Sequence, residues 1–171
     1  MRLARESEKG IPVSIAASKV DGIVLSLTPN SHSYNYRSAV LQGYAKPVEK
    51  VEEKVYAMEL ITNSVVPERW ANTRIPPDGA EMSSTTILRV TVESGSGKIR
   101  QGMPHDEAKD ENRPEVTEKV WTGVVPVYEA FGDPVPCPTN KVKQLPTYIS
   151  NHVNNATAGN REIAFEATKE P

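Results

Sequence analysis

The apolar residues of this chain fall in short runs, and the spacing of those runs limits what the chain can fold into more than any other feature. Runs at residues 11–16, 23–27 and 39–45 have the length of β-strands, and none approaches the ~20 residues of a membrane span. Asp21-Gly22 between the first two runs predicts a hairpin, because glycine readily adopts the positive φ of tight turns. The first part of the chain is therefore expected to be rich in β-structure.

Residues 48–66 change to a helical period. Apolar side chains there recur at spacings of three and four residues, which places them on one face of an amphipathic helix. These side chains are Val51, Val55, Met58, Ile61 and Val65. Glutamates occupy the other face, and Pro67 ends the helix. We expect the apolar stripe to belong to the core.

The second half of the chain contains further strand signals. Residues 85–93 alternate between apolar and polar side chains, SGSGK at 94–98 predicts a flexible turn, and residues 98–101 follow as another short strand. Residues 120–127 form the last predicted strand, before a proline-rich stretch and a polar C-terminal segment. About five or six short strands and one long helix predict an α+β domain, a small barrel with helices packed outside it.

Composition excludes several classes of protein. The chain has 171 residues, the size of one domain, and 20 Lys and Arg against 22 Asp and Glu. Without a basic excess it has no electrostatic footprint for nucleic acid or an anionic membrane. A single cysteine, Cys137, excludes an intramolecular disulfide framework, and His32, His105 and His152 lack the spacing of metal ligands. The histidine spacing therefore predicts no metal site. The charged N-terminus has no apolar signal segment, so we expect a cytoplasmic protein.

Residues 31–38 carry the clearest binding signal. This segment, SHSYNYRS, contains three serines, a histidine, an asparagine, an arginine and two tyrosines. Hydroxyls, backbone amides and one arginine can recognise a phosphate group through charge-assisted hydrogen bonds, and tyrosines can stack on a planar ring. The alternative is a polar turn in which Asn35 bonds to its own backbone. Composition leaves both interpretations open.

Trp121, two cations and the cysteine are weaker candidates. Trp121 interrupts an aliphatic strand beside Gly123, which permits close approach of a backbone or a ligand; the alternative is a tryptophan of the core. Lys98 and Arg100 alternate onto one strand face, either as a second cationic contact or as a solvated face. Cys137 lies between two prolines with no histidine near it in sequence, so we interpret it as a bystander thiol.

Four segments, in order along the chain, resemble one family. They are HSYNYRSAVLQGYA at 32–45, ELITNSVVPERWANTR at 59–74, TTILRVTVESGSGKIRQGMP at 85–104 and VWTGVVPV at 120–127. Together they resemble the FMN-binding split-barrel proteins related to pyridoxamine-phosphate oxidase, in particular the fungal members of the flavin-nucleotide-binding and nitroimidazole-resistance-like branch. The resemblance extends from about Arg5 to Tyr148, nearly the whole chain.

The resemblance implies a fold, a cofactor and a set of contacts. The fold would be an α+β, six-stranded antiparallel split barrel spanning residues 1–150, followed by a polar tail at 151–171, and the protein would be a homodimer with FMN at the subunit interface. Five residues would contact the flavin phosphate and ribityl chain, and a sixth would lie near the isoalloxazine edge. They are Ser33, Asn35, Tyr36, Arg37 and Ser38 for the former and Trp121 for the latter.

The N-terminus departs from this family pattern. Relatives in the group have further residues before the point where this chain begins, and those residues contribute the first barrel strands and a phosphate-binding turn. Residues 1–5 would then lie inside the helix that follows those strands. The resemblance therefore implies either an incomplete gene model or a shortened family member with impaired flavin binding, whose barrel lacks its first strands. The edges of such a barrel must be covered, paired across a dimer or left prone to aggregation.

The implied function is that of an FMN-dependent oxidoreductase acting on an unidentified small molecule, with the flavin performing the electron or hydride transfer. A role in fungal specialised metabolism is consistent with such relatives, although no residue points to it, and no catalytic acid or base is assigned. The alternative is a non-catalytic flavin- or haem-binding protein or a degenerate homologue, which the shortened N-terminus favours. Pyridoxamine-phosphate oxidase itself fits less well, because Arg161 is the single arginine after Tyr148.

Overall fold

One antiparallel sheet of four strands organises the molecule. The computed structural model describes residues 8–170, so the helical turn predicted at residues 1–5 lies outside the described residues. The strands are β1 (Ile11–Leu25), β2 (Ser33–Pro47), β3 (Leu88–Arg100) and β4 (Gly123–Pro126), in the sheet order β3-β2-β1-β4. Gly22 of β1 is opposite Pro126 of β4, and Leu25 is opposite Gly123. The predicted α+β class and antiparallel sheet are confirmed.

Helices flank the sheet. They are α1 (Val51–Val65), a short 3-10 helix (Trp70–Asn72), α2 (Gly79–Ser84), α3 (Ala108–Glu111), α4 (Pro114–Thr117) and α5 (Thr147–Glu166). Most of the polar C-terminal segment thus lies in α5, a 20-residue helix. No helix within residues 8–170 combines the length and apolar character that crossing a membrane requires.

The hairpin predicted at Asp21-Gly22 is wrong. Both residues lie inside β1, which continues for 15 residues without a turn. Gly22 allows close packing here: a Cβ on it would lie 2.7 Å from Cγ1 of Val124 on β4. The pairing of β1 with a strand far along the chain therefore outweighs the local turn preference of Asp-Gly.

The turn predicted at 94–98 is also wrong, because β3 runs uninterrupted from Leu88 to Arg100. It includes residues 98–100 of the short strand expected at 98–101. With the two runs of β1 also merged, the described part of the chain has three long strands and one short strand, β4, where five or six short ones were predicted. β3 packs closely against β2 at Gly43, before the SGSGK segment. A Cβ on Gly43 of β2 would collide with the carbonyl group of Thr91 of β3.

The predicted amphipathic helix is confirmed as α1, but its stripe does not belong to the core. None of its residues is buried, and Val51, Ile61 and Val65 are each more than half exposed. The spacing of apolar residues predicts that a helix has an apolar face; it does not indicate what covers that face.

The chain divides into two compact units. The described residues of the first unit are 8–15, 41–95 and 133–153, and those of the second are 16–40, 96–132 and 154–170. Ala45 is buried in the first unit, and Val24 and Ala164 are buried in the second. The second unit also buries polar groups, Asn35 and Ser26 among them, and it contains every residue predicted to contact flavin.

Candidate functional site

The candidate segment forms the start of β2 and extends along the strand. Side chains of a strand alternate between the two faces of the sheet. Ser33, Asn35 and Arg37 therefore share one face, whereas Tyr36 and Ser38 point to the other. The polar-turn alternative is wrong for this segment, and a ligand on one face of the sheet reaches only one of the two sets.

Asn35 has a structural task inside the second unit. Its side chain is fully buried, and its Nδ2 donates to the carbonyl groups of Gly102 at 3.0 Å and Ala167 at 2.8 Å. Its Oδ1 accepts a hydrogen bond from Arg100. Both amide hydrogens are used within the chain, and they tie the segments that follow β3 and α5 to β2.

Arg37 is held by a buried carboxylate. Its Nε donates to Oδ2 of Asp21 at 2.8 Å, and its Nη2 donates to Oδ1 of the same residue at 2.9 Å. The side chain of Asp21 is 6% exposed, whereas that of Arg37 is 44% exposed. The hydrogen bonds to Asp21 raise the pKa of Arg37 above its ordinary value. Nη1 of Arg37 is left as a donor for a ligand.

Asp21 and Arg37 line two cavities of the second unit. The larger cavity has a volume of about 510 Å³, and the smaller has about 250 Å³. Arg100 at the end of β3 and Ile163 of α5 also line the larger cavity. Its volume lies within the roughly 300–1,000 Å³ of small-molecule sites. The Arg37–Asp21 pair thus stands where a bound molecule could contact it.

The larger cavity carries four carboxylates and three cations. The carboxylates are Asp21, Glu162, Glu166 and Glu170, and the cations are Arg37, Arg100 and Lys169. Lys169 is paired with Glu166 at 2.6 Å, and Glu170 accepts the backbone N–H of Met103 at 3.0 Å. Because the lining has no cationic excess, recognition of an anion here depends on how the arginines are oriented and not on net charge.

Trp121 lies on the surface of the second unit, so the core alternative is wrong. Its side chain is among the most exposed large apolar groups, and it packs over Gly123 at the start of β4. A Cβ on Gly123 would lie 2.8 Å from Cη2 of the indole. Gly123 therefore permits the close approach of the ring, and contact of Trp121 with an isoalloxazine edge stays a prediction.

A model of the pyridoxamine 5'-phosphate oxidase family matches residues 1–99, more than half of the chain. The chain belongs to this family. The matched region includes β1, β2, and the Asp21–Arg37 pair, whereas Arg100 and Trp121 lie outside it. No curated protein sequence matches the chain significantly.

Two solved structures are similar to this family member. The flavocytochrome Anf3 from Azotobacter vinelandii has a TM-score of 0.72 at 24% identity, over 82% of this chain and 64% of that one. The FAD and heme binding protein from Mycobacterium smegmatis has a TM-score of 0.73 at 24% identity, over 86% of this chain and 69% of that one. At this identity the likeness shows a shared fold. The chain spans less than two thirds of the flavocytochrome's length.

Sequence reasoning about this family member missed Asp21. The Asp-Gly pair predicts a turn, and a residue in a turn is expected to be solvated. One sequence signal could have identified Asp21. It is an acidic residue between two apolar runs, followed along the chain by a predicted strand that contains an arginine, and this pattern permits a buried ion pair. Arg100, in contrast, was considered as a second cation, and it does line the larger cavity.

Other reactive groups give no competing site within residues 8–170. No cluster of three His, Cys, Asp or Glu side chains there could hold a metal ion. His32 accepts the backbone N–H of Ser26 through Nδ1 at 3.0 Å. Cys137 is exposed in the first unit, where the hydroxyl of Thr139, 3.2 Å from Sγ, lowers the pKa of the thiol.

Proposed function

We propose that the chain binds FMN and acts as an FMN-dependent oxidoreductase on a small molecule. The observation that carries this proposal is the Arg37 guanidinium, which Asp21 orients at the wall of the larger cavity. Membership of the pyridoxamine 5'-phosphate oxidase family supports a flavin as the ligand, as does the similarity to a flavocytochrome and to an FAD and heme binding protein. In this proposal the phosphate of FMN binds to Arg37.

In this proposal Arg37 offers Nη1 to the phosphate end of FMN at the wall of the larger cavity. Ser33 lies four residues earlier on the same face of β2 and is not among the residues that line this cavity, so its contact with the ribityl chain or phosphate stays a prediction. Asn35 contributes through the chain, since its Oδ1 accepts from Arg100 and its amide hydrogens are taken. Tyr36 and Ser38 would contact flavin only from the opposite face of the sheet.

When bound, the flavin supplies the electron or hydride transfer. The residues of this chain bind and orient it: Arg37 at the phosphate, and Trp121 as an exposed aromatic surface against the ring system. No side chain is assigned as an acid or base. Because no catalytic residue indicates the substrate, substrate assays are needed to identify its class.

We also propose that the sheet is part of a split barrel and that the protein is a homodimer with flavin at the subunit interface. In support, the cross-strand pair of Ile23 on β1 and Val125 on β4 is exposed at 38% and 45%. β4 is an edge strand, and exposed apolar edge strands invite pairing with another chain. Val125→Lys is expected to shift the protein to monomers in light scattering, whereas Val135→Lys, at a position 90% exposed, is not.

One observation favours a second function, that of a non-catalytic flavin- or haem-binding protein. Both similar structures are named for heme or cytochrome character as well as flavin. The absorbance spectrum of the protein reconstituted with each cofactor separates the ligands, because haem gives a Soret band and flavin does not. An enzyme is expected to show substrate-dependent bleaching of the bound flavin in the presence of a reductant; a storage protein is not.

The phosphate contact is tested by comparing FMN with riboflavin, which lacks the phosphate. Arg37→Ala is expected to weaken FMN binding about tenfold or more, since a hydrogen bond to a charged group contributes ~1.5–3 kcal/mol. Riboflavin affinity is expected to stay the same. Arg89→Ala is the matched control, because Arg89 is also a strand arginine paired with a carboxylate, Glu53. If Arg37→Ala lost affinity for FMN and riboflavin equally, or kept its affinity for FMN, the proposal would be contradicted.

A further inference from the structure

We infer that Asp21 is a positioning residue that sets the orientation in which Arg37 meets the phosphate of its ligand. This inference rests on the proposed function, since it concerns the same site. It adds a residue that neither the family resemblance nor the sequence indicated. Its basis is the two-point contact between a buried carboxylate and a half-exposed guanidinium.

The burial of Asp21 gives the carboxylate a fixed place. Its side chain is 6% exposed, and a buried charge is costly unless it is paired and hydrogen-bonded. Both carboxylate oxygens are filled by Arg37. The backbone is fixed as well: the carbonyl group of Asp21 accepts the N–H of Val127 at 3.0 Å, and the next residue, Gly22, pairs with Pro126.

The planar geometry of arginine turns this fixed place into a direction. Nε and Nη2 form one edge of the guanidinium, and Asp21 occupies that edge. The remaining donors, Nη1 and the second hydrogen of Nη2, point away from Asp21 in the same plane. Because Arg37 is 44% exposed, it would sample several rotamers without this contact. Asp21 therefore decides which part of the cavity Arg37 serves.

Asp21 also has an opposing effect, because its negative charge repels a phosphate. The guanidinium lies between the carboxylate and any ligand on the free edge, and its half-exposed setting lets solvent screen the repulsion. Orientation is not screened. We therefore expect the loss of orientation to outweigh the relief of repulsion when the charge of Asp21 is removed.

The test measures the dissociation constants of FMN and riboflavin for the full chain. Asp21→Asn keeps the shape of the side chain and removes one acceptor oxygen. It is expected to lower FMN affinity about fivefold to tenfold while riboflavin affinity changes less than about twofold. The double variant Asp21→Asn, Arg37→Ala is expected to bind FMN no more weakly than Arg37→Ala alone. If Asp21 had a merely structural role, Asp21→Asn would weaken the binding of FMN and riboflavin equally. Its effect on FMN affinity would then add to that of Arg37→Ala.

A second variant keeps the inference testable where Asp21→Asn fails to fold. Arg37→Lys keeps the charge beside Asp21 but loses the fork, so it is expected to lose most of the preference for FMN over riboflavin. Arg89→Lys serves as the matched control and is expected to keep that preference. An Arg37→Lys protein with the wild-type preference would overturn the inference.

The outcomes separate the inference from the proposed function. Wild-type protein that does not prefer FMN to riboflavin overturns both. Loss of that preference in Arg37→Ala, but unchanged or tighter FMN binding in Asp21→Asn, overturns the positioning role and leaves the proposed function intact. Parallel, non-additive losses in the two variants support the positioning role.

Discussion

Two arginine–carboxylate pairs, one in each unit, use the same chemistry with different results. Arg37 makes two hydrogen bonds to Asp21, at 2.8 and 2.9 Å, and the carboxylate is buried. Arg89 makes one contact to Glu53 at 3.1 Å, with both side chains exposed to solvent by a third or more. A fork on a buried carboxylate fixes an orientation, whereas an exposed single contact leaves both side chains free to move.

The two pairs are expected to differ most in their contribution to the free energy of unfolding. Asp21→Ala is expected to lower the free energy of unfolding by about 2–3 kcal/mol, below the 3–5 kcal/mol of fully buried pairs because solvent reaches Arg37. Glu53→Ala is expected to change it by less than about 0.5 kcal/mol. Urea denaturation of the two variants measures the difference. Equal effects would mean that burial does not distinguish the two pairs.

Asn35 extends the comparison between buried and exposed contacts to a neutral side chain. Asn35→Ala leaves the carbonyl group of Gly102 without its side-chain donor and is expected to cost about 2 kcal/mol in the free energy of unfolding. Asn140 is the control, since it is exposed and its side chain bonds to the backbone of Val142, two residues along the chain. Asn140→Ala is expected to cost less than about 0.5 kcal/mol by thermal or urea unfolding. A small effect at Asn35 would contradict its role as a buried link.

Two exposed carboxylates near the start of α2 are expected to make stability depend on pH. A hydrogen bond from Arg74 lowers the pKa of Glu81, and the backbone N–H of Glu81 lowers the pKa of Asp78 at the start of α2. Because both pKa values are lower in the folded state, this stabilisation is present at neutral pH and is lost as the pH falls through them. NMR titration of the two carboxyl groups is expected to show midpoints below those of model peptides. In Glu81→Gln, the step at Asp78 is expected to remain.

The smallest expected effect is at Cys137. Cys137→Ser is expected to leave flavin affinity and turnover unchanged, because the thiol is exposed and contacts the hydroxyl of Thr139, two residues along the chain, at 3.2 Å. Flavin titration and activity assays of the variant measure this. A large loss of activity would identify the thiol as part of the chemistry and would shift attention from the second unit.

The sequence predicted α1, the α+β class and the candidate segment of β2, because each depends on a local pattern of residues. It did not predict the continuous β1, because the partner that keeps Gly22 in a strand is Pro126 on β4. It also missed the role of Asn35, whose acceptors, Gly102 and Ala167, are distant in sequence. Such pairings are properties of the folded chain, and no local propensity encodes them.

The apolar stripe of α1 illustrates the same limit from the other side. The period of Val51, Ile61 and Val65 correctly predicts a helix with an apolar face. All three side chains are more than half exposed, so the described residues leave much of that face uncovered. The spacing of apolar residues identifies the apolar face of α1 but not the residues that pack against it.

The measurement that tests the central claim most directly is a titration of the purified wild-type chain with FMN and with riboflavin, followed by absorbance and fluorescence. The account predicts saturable binding of FMN with a shifted flavin spectrum, and affinity for riboflavin lower by about tenfold or more. A folded protein that binds neither flavin, or that binds both equally, would contradict the claim that Arg37 holds the flavin phosphate.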